Sequence, residues 1–346
     1  MDRELSGWRE CGGNISGDPA SQGSTPGATG AVAGSTPGGP ALPGSQSQSG
    51  LLKAPASAPY VFAAQFGNSG KSTTALLVTA TGITLDSKGD VFCADTKENR
   101  VVEFTAAGDY ADQFGNIGSP AADLVKSPTA LAVDGSRNTD VIDIAGSGRV
   151  VKFSKAKKYV GDFGNTGTAA TGVLDSPTAI ACDGSGNIYV TDSTAGGRVV
   201  KFNKKGAYAT QFGNNGTTAT GLLSGPAGIA IDGSGDIYVA DSGNNRVVEF
   251  SNKCTYRCQF AGSGESTLKQ PIAVAADNTG NVYIVDGGPT GRVQKFGATG
   301  TLITQIGNTG TTATGLLQNP GGIAVGADGD VYVADTGNHR IVKFKR

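Results

Sequence analysis

One motif returns six times along this chain, and its spacing leaves few folds open. Its clearest copy is Pro226 to Phe250, PAGIAIDGSGDIYVADSGNNRVVEF. It reads as three short strands, Gly228–Asp232, Ile237–Asp241 and Arg246–Phe250, separated by an Asp-Gly-Ser-Gly turn and a Ser242–Asn245 turn. The glycines supply the positive φ angles that such hairpin turns require. A fourth strand, AYATQFG (Ala207–Gly213), belongs to the preceding copy. The first-strand anchors begin at Ala80, Pro128, Pro177, Pro226, Pro271 and Pro320, at intervals of 48, 49, 49, 45 and 49 residues. A period near 48 in short alternating strands predicts an all-β fold: a six-bladed β-propeller with four antiparallel strands per blade.

The ends of the array predict how the ring shuts. The last copy finishes at RIVKFKR (Arg340–Arg346) with no fourth strand after it. YVFAAQFG (Tyr60–Gly67) matches the fourth-strand pattern and precedes the first copy. Residues 60–66 are therefore expected to complete blade six, removing an open sheet edge. Within each strand the apolar residues alternate, as Ile229/Ile231 and Ile237/Val239 do, directing a face into the contact between sheets. Phenylalanine recurs at the end of the third strand (Phe104, Phe153, Phe202, Phe250, Phe296, Phe344) and on the fourth (Phe66, Phe114, Phe163, Phe212, Phe260). The propeller domain is assigned to residues 60–346. Residues 1–59, dominated by Gly, Ser, Pro and Ala, form a tail too poor in large apolar side chains to offset its ordering entropy.

Composition narrows the function classes. A net charge of −1 provides no bulk attraction to nucleic acid or anionic membrane. No apolar run reaches the roughly 18–20 residues of a membrane span. The first residues, MDRELSGWRECGG, lack the basic and apolar segments of a secretory signal. A cytoplasmic location is slightly favoured, and an extracellular or cell-surface one if a signal lies upstream. The five cysteines read as core or surface thiols: Cys254 and Cys258 are separated by about 13 Å if extended, beyond disulfide reach of about 7 Å.

The recurring P-x-G-I-A-V-D, G-N-I-Y-V-A-D and N-x-R-V-x-x-F patterns resemble the NHL-repeat family of propellers over residues 60–346. Blade two departs furthest: Asn138-Thr-Asp-Val-Ile-Asp143 puts polar residues in second-strand slots and leaves its register open. Some animal members of that family bind RNA through a basic face with free aromatic platforms. Here the aromatic residues fall almost entirely at repeated blade positions, so no nucleic-acid partner is expected. Propeller lyases related to the family use histidine-dependent metal sites, and His339 is the only histidine. A lactonase-type calcium site in the channel would need carboxylates where the first strands carry Gly, Ala, Ile and Val. No cofactor, metal or catalytic residue is assigned. The Asp232–Asp236 loop has too few carboxylates for calcium, and Gly70-Lys71-Ser72-Thr73 has Gln65 where a phosphate loop needs glycine.

Two sets of residues remain. The second strand ends in Asp, followed by Arg five or six residues later: Asp95/Arg100, Asp192/Arg198, Asp241/Arg246, Asp286/Arg292 and Asp335/Arg340, with Asp143/Arg149 a sixth if blade two aligns without gaps. Recurrence in every blade identifies them as hairpin clamps rather than catalytic dyads. Strand alternation also puts the fourth-to-first connections and the second-to-third turns on one face of the disc. Its polar residues are Asn165, Thr166, Asn214, Asn215, Asn244, Asn245, Asn308, Thr309, Asn338 and His339. Binding on rigid scaffolds is commonly carried by such loops. The sequence thus predicts a monomeric, non-catalytic scaffold that binds a protein, peptide or glycan through that face. The alternative is a propeller hydrolase or lyase with a metal ion in the central channel.

Overall fold

The computed structural model describes residues 60–68, 76–116, 124–146, 148–165, 172–193, 196–214, 221–287, 291–307 and 316–346; the tail assigned to 1–59 lies outside them. The described residues form six four-stranded antiparallel sheets, the blades of a propeller. Five take their strands in chain order, as in Pro226–Ile231, Ile237–Asp241, Arg246–Phe250 and Tyr256–Phe260 of blade 4. The sixth combines Gly322–Val325, Val331–Asp335 and Arg340–Lys345 with the N-terminal strand Val61–Phe66. The two ends of the array therefore share one sheet.

The N-terminal strand is a true fourth strand in register as well as in position. It pairs antiparallel with the last strand, from Val61 opposite Lys345 to Phe66 opposite Ile341, and skips one residue between Phe62 and Ala64. The outer strand of blade 4 skips in the corresponding place, with Phe250 opposite Tyr256 and Glu249 opposite Cys258. A bulge of this kind strengthens local twist and bends the strand. Tyr60 anchors the start of the closing strand on blade 5, its hydroxyl lying 3.1 Å from that of Tyr283 and donating to the Gly329 carbonyl at 3.2 Å.

Blade two aligns without a gap. Its second strand is Thr139–Asp143, and Asp143 stands opposite Arg149 as Asp241 stands opposite Arg246. The polar residue that obscured the register, Asp140, takes the slot held by Tyr238 in blade 4 and is neutralised by Lys152 Nζ at 2.8 Å.

Alternation along the strands has a two-sided meaning. The second and third strands of blade 4 are buried along their whole length, because each face packs on a different neighbour. Ile237, Val239, Val248 and Phe250 join Tyr189 and Val199 of blade 3. Tyr238, Ala240 and Val247 join Val274, Val282 and Phe296 of blade 5. Successive residues thus serve successive interfaces, and a one-residue slip would exchange them. The two phenylalanine series meet across these interfaces. The outer-strand Phe of one blade packs on the third-strand Phe of the next, as Phe114 on Phe153 and Phe212 on Phe250, with ring centroids 5.1 and 4.9 Å apart. Phe66 meets Phe104 at 5.1 Å in the same way, which seals blade 6 to blade 1.

Cys93 is a buried free thiol, and Cys182 and Cys254 are also free. Cys258 departs from the expectation of a thiol: it is disulfide-bonded, and its partner is none of the other described cysteines. The extended strand does keep it from pairing with its sequence neighbour Cys254.

If the closing contact is equivalent to the internal ones, Phe66→Ala and Phe114→Ala should each cost about 3–5 kcal/mol in urea denaturation. A full loss for Phe114→Ala with an unchanged midpoint for Phe66→Ala would contradict that equivalence.

Candidate functional site

First strands wall the channel, whereas fourth-to-first connections and second-to-third turns form the loop face. The first strands of all six blades surround the channel, which contains cavities of about 90 and 200 Å³. Neighbouring first strands approach closely: a Cβ at Gly228 would lie 2.8 Å from the Ala273 Cα. Every side chain lining these cavities is Gly, Ala, Val, Leu, Ile, Thr or Cys. The one thiol, Cys182, has its pKa pushed well above the ordinary value, first by burial and then by the nearby Asp140 carboxylate, which suppresses the thiolate. Among the described residues, no group of three or more His, Cys, Asp and Glu side chains is arranged to hold a metal ion.

Each Asp–Arg pair lies at the edge of the loop face and holds more than a hairpin. In blade 4, Asp241 is fully buried and Arg246 is 2% exposed. One carboxylate oxygen accepts the Ser224 N–H at 2.6 Å, and the other accepts Arg246 Nε at 2.6 Å and Asn244 Nδ2 at 2.8 Å. The same guanidinium donates Nη1 to Gln259 Oε1 on the outer strand and Nη2 to the Leu222 carbonyl at 2.6 Å. Arg100 repeats this with Asp95, Gln113 and the Leu76 carbonyl, and Arg198 with Asp192, Gln211 and the Val173 carbonyl. Arg149 and Arg292 likewise pair with Asp143 and Asp286 and reach the Leu124 and Thr267 carbonyls. In blade 6 the outer-strand partner comes from the other end of the array: Arg340 binds Asp335 at 2.7 Å, Gln65 through Nη1, and the Leu316 carbonyl at 3.0 Å. Sequence reading found the Asp and Arg of this motif and missed the Gln. The recurring Q-F pair of the fourth strand was the available signal.

Several loop-face candidates are engaged by the fold. Asn244 and Asn338 donate Nδ2 to the clamp carboxylates of Asp241 and Asp335, both at 2.8 Å. Asn245 and His339 end short 3-10 turns in the left-handed region, at φ 53° and 54°. That conformation explains why their slot takes Asn so readily. Both reach the next blade: Asn245 Oδ1 accepts the Gln270 N–H at 2.8 Å, and His339 Nδ1 donates to the Val78 carbonyl at 2.5 Å. Hydroxyls at the start of the same turns make parallel staples, Thr96 to Pro128, Ser242 to Pro271 and Thr336 to Ala80. Asn165 is exposed and donates to Asp162 at 2.8 Å, while Asn214 is exposed at the start of its connection. Thr166, Asn215, Asn308 and Thr309 lie outside the described residues.

The Asp-Gly-Ser-Gly turns, on the opposite face, are Asx turns. Asp232 Oδ1 accepts the N–H groups of Ser234 and Asp236, both at 2.9 Å, and Oδ2 accepts the Tyr238 hydroxyl at 3.3 Å. Asp183 and Asp277 receive Tyr189 and Tyr283 likewise, at 3.1 Å each.

An NHL-repeat family model matches residues 223–250 and 317–344, blades 4 and 6. No curated protein sequence matches the chain significantly. Among solved structures, a streptogramin B lyase aligns with a TM-score of 0.56 at 17% identity, over 83% of this chain and 98% of that one. A gluconolactonase from Xanthomonas campestris gives 0.57 at 14% identity, covering 78% and 86% of the two chains. A chain of a nidogen/laminin complex gives 0.52 at 19% identity, covering 71% and 92%.

Two outcomes test the energetics of these networks. Arg246→Ala should lower stability by about 3–5 kcal/mol in thermal or urea denaturation, because it strands the buried Asp241 carboxylate; an unchanged midpoint would contradict the clamp. Burial raises the Asp140 carboxyl from 3.8 to about 6 against the opposing pull of Lys152. The folded state then binds this proton more tightly than the unfolded chain, so Asp140 lends stability as pH falls through 6 towards 4 and withdraws it as pH rises. Asp140→Asn should flatten that part of the stability–pH curve, and an unaltered curve would refute the assignment. The register that unites all six sheets makes this chain a six-bladed β-propeller, with NHL repeats matched in blades 4 and 6.

Proposed function

We propose that this propeller is a non-catalytic scaffold whose loop face binds a protein, peptide or glycan partner. The observation that carries the reading is the channel wall, whose lining side chains are all uncharged and, apart from Thr and Cys, apolar. Acid–base or metal chemistry at the axis would need ionisable groups directed into that space. The Asp–Arg clamps at the edge of the loop face are buried or half-buried and bonded to one another. The exposed Asn165 and Asn214 stand at the mouths of long polar connections, where a rigid disc can present them together. A protein complex also occurs among the structural neighbours, in the nidogen/laminin structure. The competing reading, a hydrolase or lyase with a channel metal, draws on the lyase and gluconolactonase neighbours, whose likeness extends to the fold.

Capture experiments on the full chain separate the two. A partner retained by the wild-type chain should be held at least tenfold less by Asn214→Ala combined with Asn215→Ala, with no change in melting temperature. Undiminished capture would remove the loop face from the account. Metal analysis of the purified protein is expected to find substoichiometric calcium and zinc; one tightly held ion per chain would favour the enzyme.

A further inference from the structure

The interval of 45 residues between Pro226 and Pro271 marks the one shortened fourth-to-first connection, and the shortening reshapes the rim between blades 4 and 5. After Phe260 the chain turns through a 3-10 segment, Gly264–Ser266, and Leu268 N–H reaches the Ala261 carbonyl at 2.8 Å. The turn demands glycine at 262, where φ is 72° and a Cβ would lie 2.1 Å from the Ser266 carbonyl oxygen. Beside it opens a cavity of about 470 Å³, bounded by Gln259, Phe260, Ser263, Ser266, Thr301 and Leu302.

Gln259 sets this cavity apart. The residue is 4% exposed, and its Oε1 accepts from Arg246, while its buried Nε2 finds no acceptor among the described residues. The matching Gln65, Gln113 and Gln211 in other blades are only half-buried. A buried amide donor without an acceptor is uncommon enough in proteins to need a cause. The rest of the lining offers hydroxyls from Ser263 and Thr301 and apolar surface from Phe260 and Leu302. Arg246, which also borders the cavity, has its charge matched by Asp241 at 2.6 Å. Among the described residues that line it, an ionic ligand would find no unmatched countercharge, and burying it would be unfavourable.

We propose that this rim cavity binds a neutral secondary amide, its carbonyl oxygen accepting from Gln259 Nε2 and its small apolar substituent lying against Phe260 and Leu302. An N-acetylated sugar and a capped peptide both carry that group. The site is on the outer wall of the disc and does not depend on the loop-face reading.

The test is an amide-resolved NMR titration of the full chain, with N-acetylglucosamine in one arm and N-acetylleucine methylamide in the other. Saturable shifts at the Gln259 side-chain amide and at the Ser263 and Thr301 backbone amides are expected in one arm, which identifies the source. Gln259→Glu keeps an acceptor for Arg246 and removes the donor, so binding should weaken at least tenfold. Thr301→Trp, at an exposed residue on the mouth, should abolish binding with the fold intact, and it decides the matter if Gln259→Glu is poorly folded. Absence of shifts with either probe, or equal affinity in a folded Gln259→Glu or Thr301→Trp variant, would overturn the proposal.

Discussion

A buried guanidinium that ties three separated stretches of chain together is the constraint on which this propeller depends. An extended four-stranded blade has little to fix its inner, middle and outer strands relative to the connection that enters it. Arg246 does so in a single planar group: Asp241 at the hairpin, Gln259 on the outer strand and the Leu222 carbonyl on the incoming connection. Asp241 reciprocates by accepting the Ser224 N–H on that connection. Such a pair offers little net stability over a well-packed apolar substitute, because desolvating both charges is costly. Its contribution is geometric, since the fork of donors admits one arrangement of the partners. At blade 6 the same device reaches from Arg340 to Gln65, so the arrangement that shapes a blade also joins the two ends of the array.

Packing supplies the stability that the clamps direct. Because the middle strands bury both faces, each blade is an interior element of two neighbouring cores and no blade has a core to itself. Such an array is expected to be strongly coupled, each interface depending on the two beside it. Closure matters for the same reason. Without the N-terminal strand, Phe104 would lose the ring of Phe66, and Arg340 would lose its amide acceptor.

Much of this was legible in the sequence, for identifiable reasons. Six copies of one pattern show blade number, and a fourth-strand motif stranded at residue 60 shows where the ring shuts. The Asp and Arg of each clamp stand out because they recur at one spacing. Other features depend on contacts between copies that no single copy displays. The two phenylalanine series were visible, but their pairing across blades follows from the stagger of outer and third strands. Asn245 and His339 read as available polar groups, although a left-handed turn aims them at the next blade. Asp140 looked like a defect in a strand until Lys152, directly across the hairpin, explained it. The orphaned amide of Gln259 depends on a connection a few residues shorter than its counterparts, a difference whose consequence only three dimensions reveal.

These observations describe a disc whose axis is lined by uncharged side chains, with side chains on one face that hold blades together and exposed groups at the mouths of its connections, on the Asx-turn face and on its rim. Joining the first strand to the last is the step that makes the disc rigid, and amide hydrogen exchange reads it most directly. Residues 61–66 and 340–345 should exchange as slowly as the outer and third strands of blades 2 to 4, and should be released with them in a single cooperative opening. Rapid exchange of 61–66 while the other outer strands stay protected would contradict a closed ring.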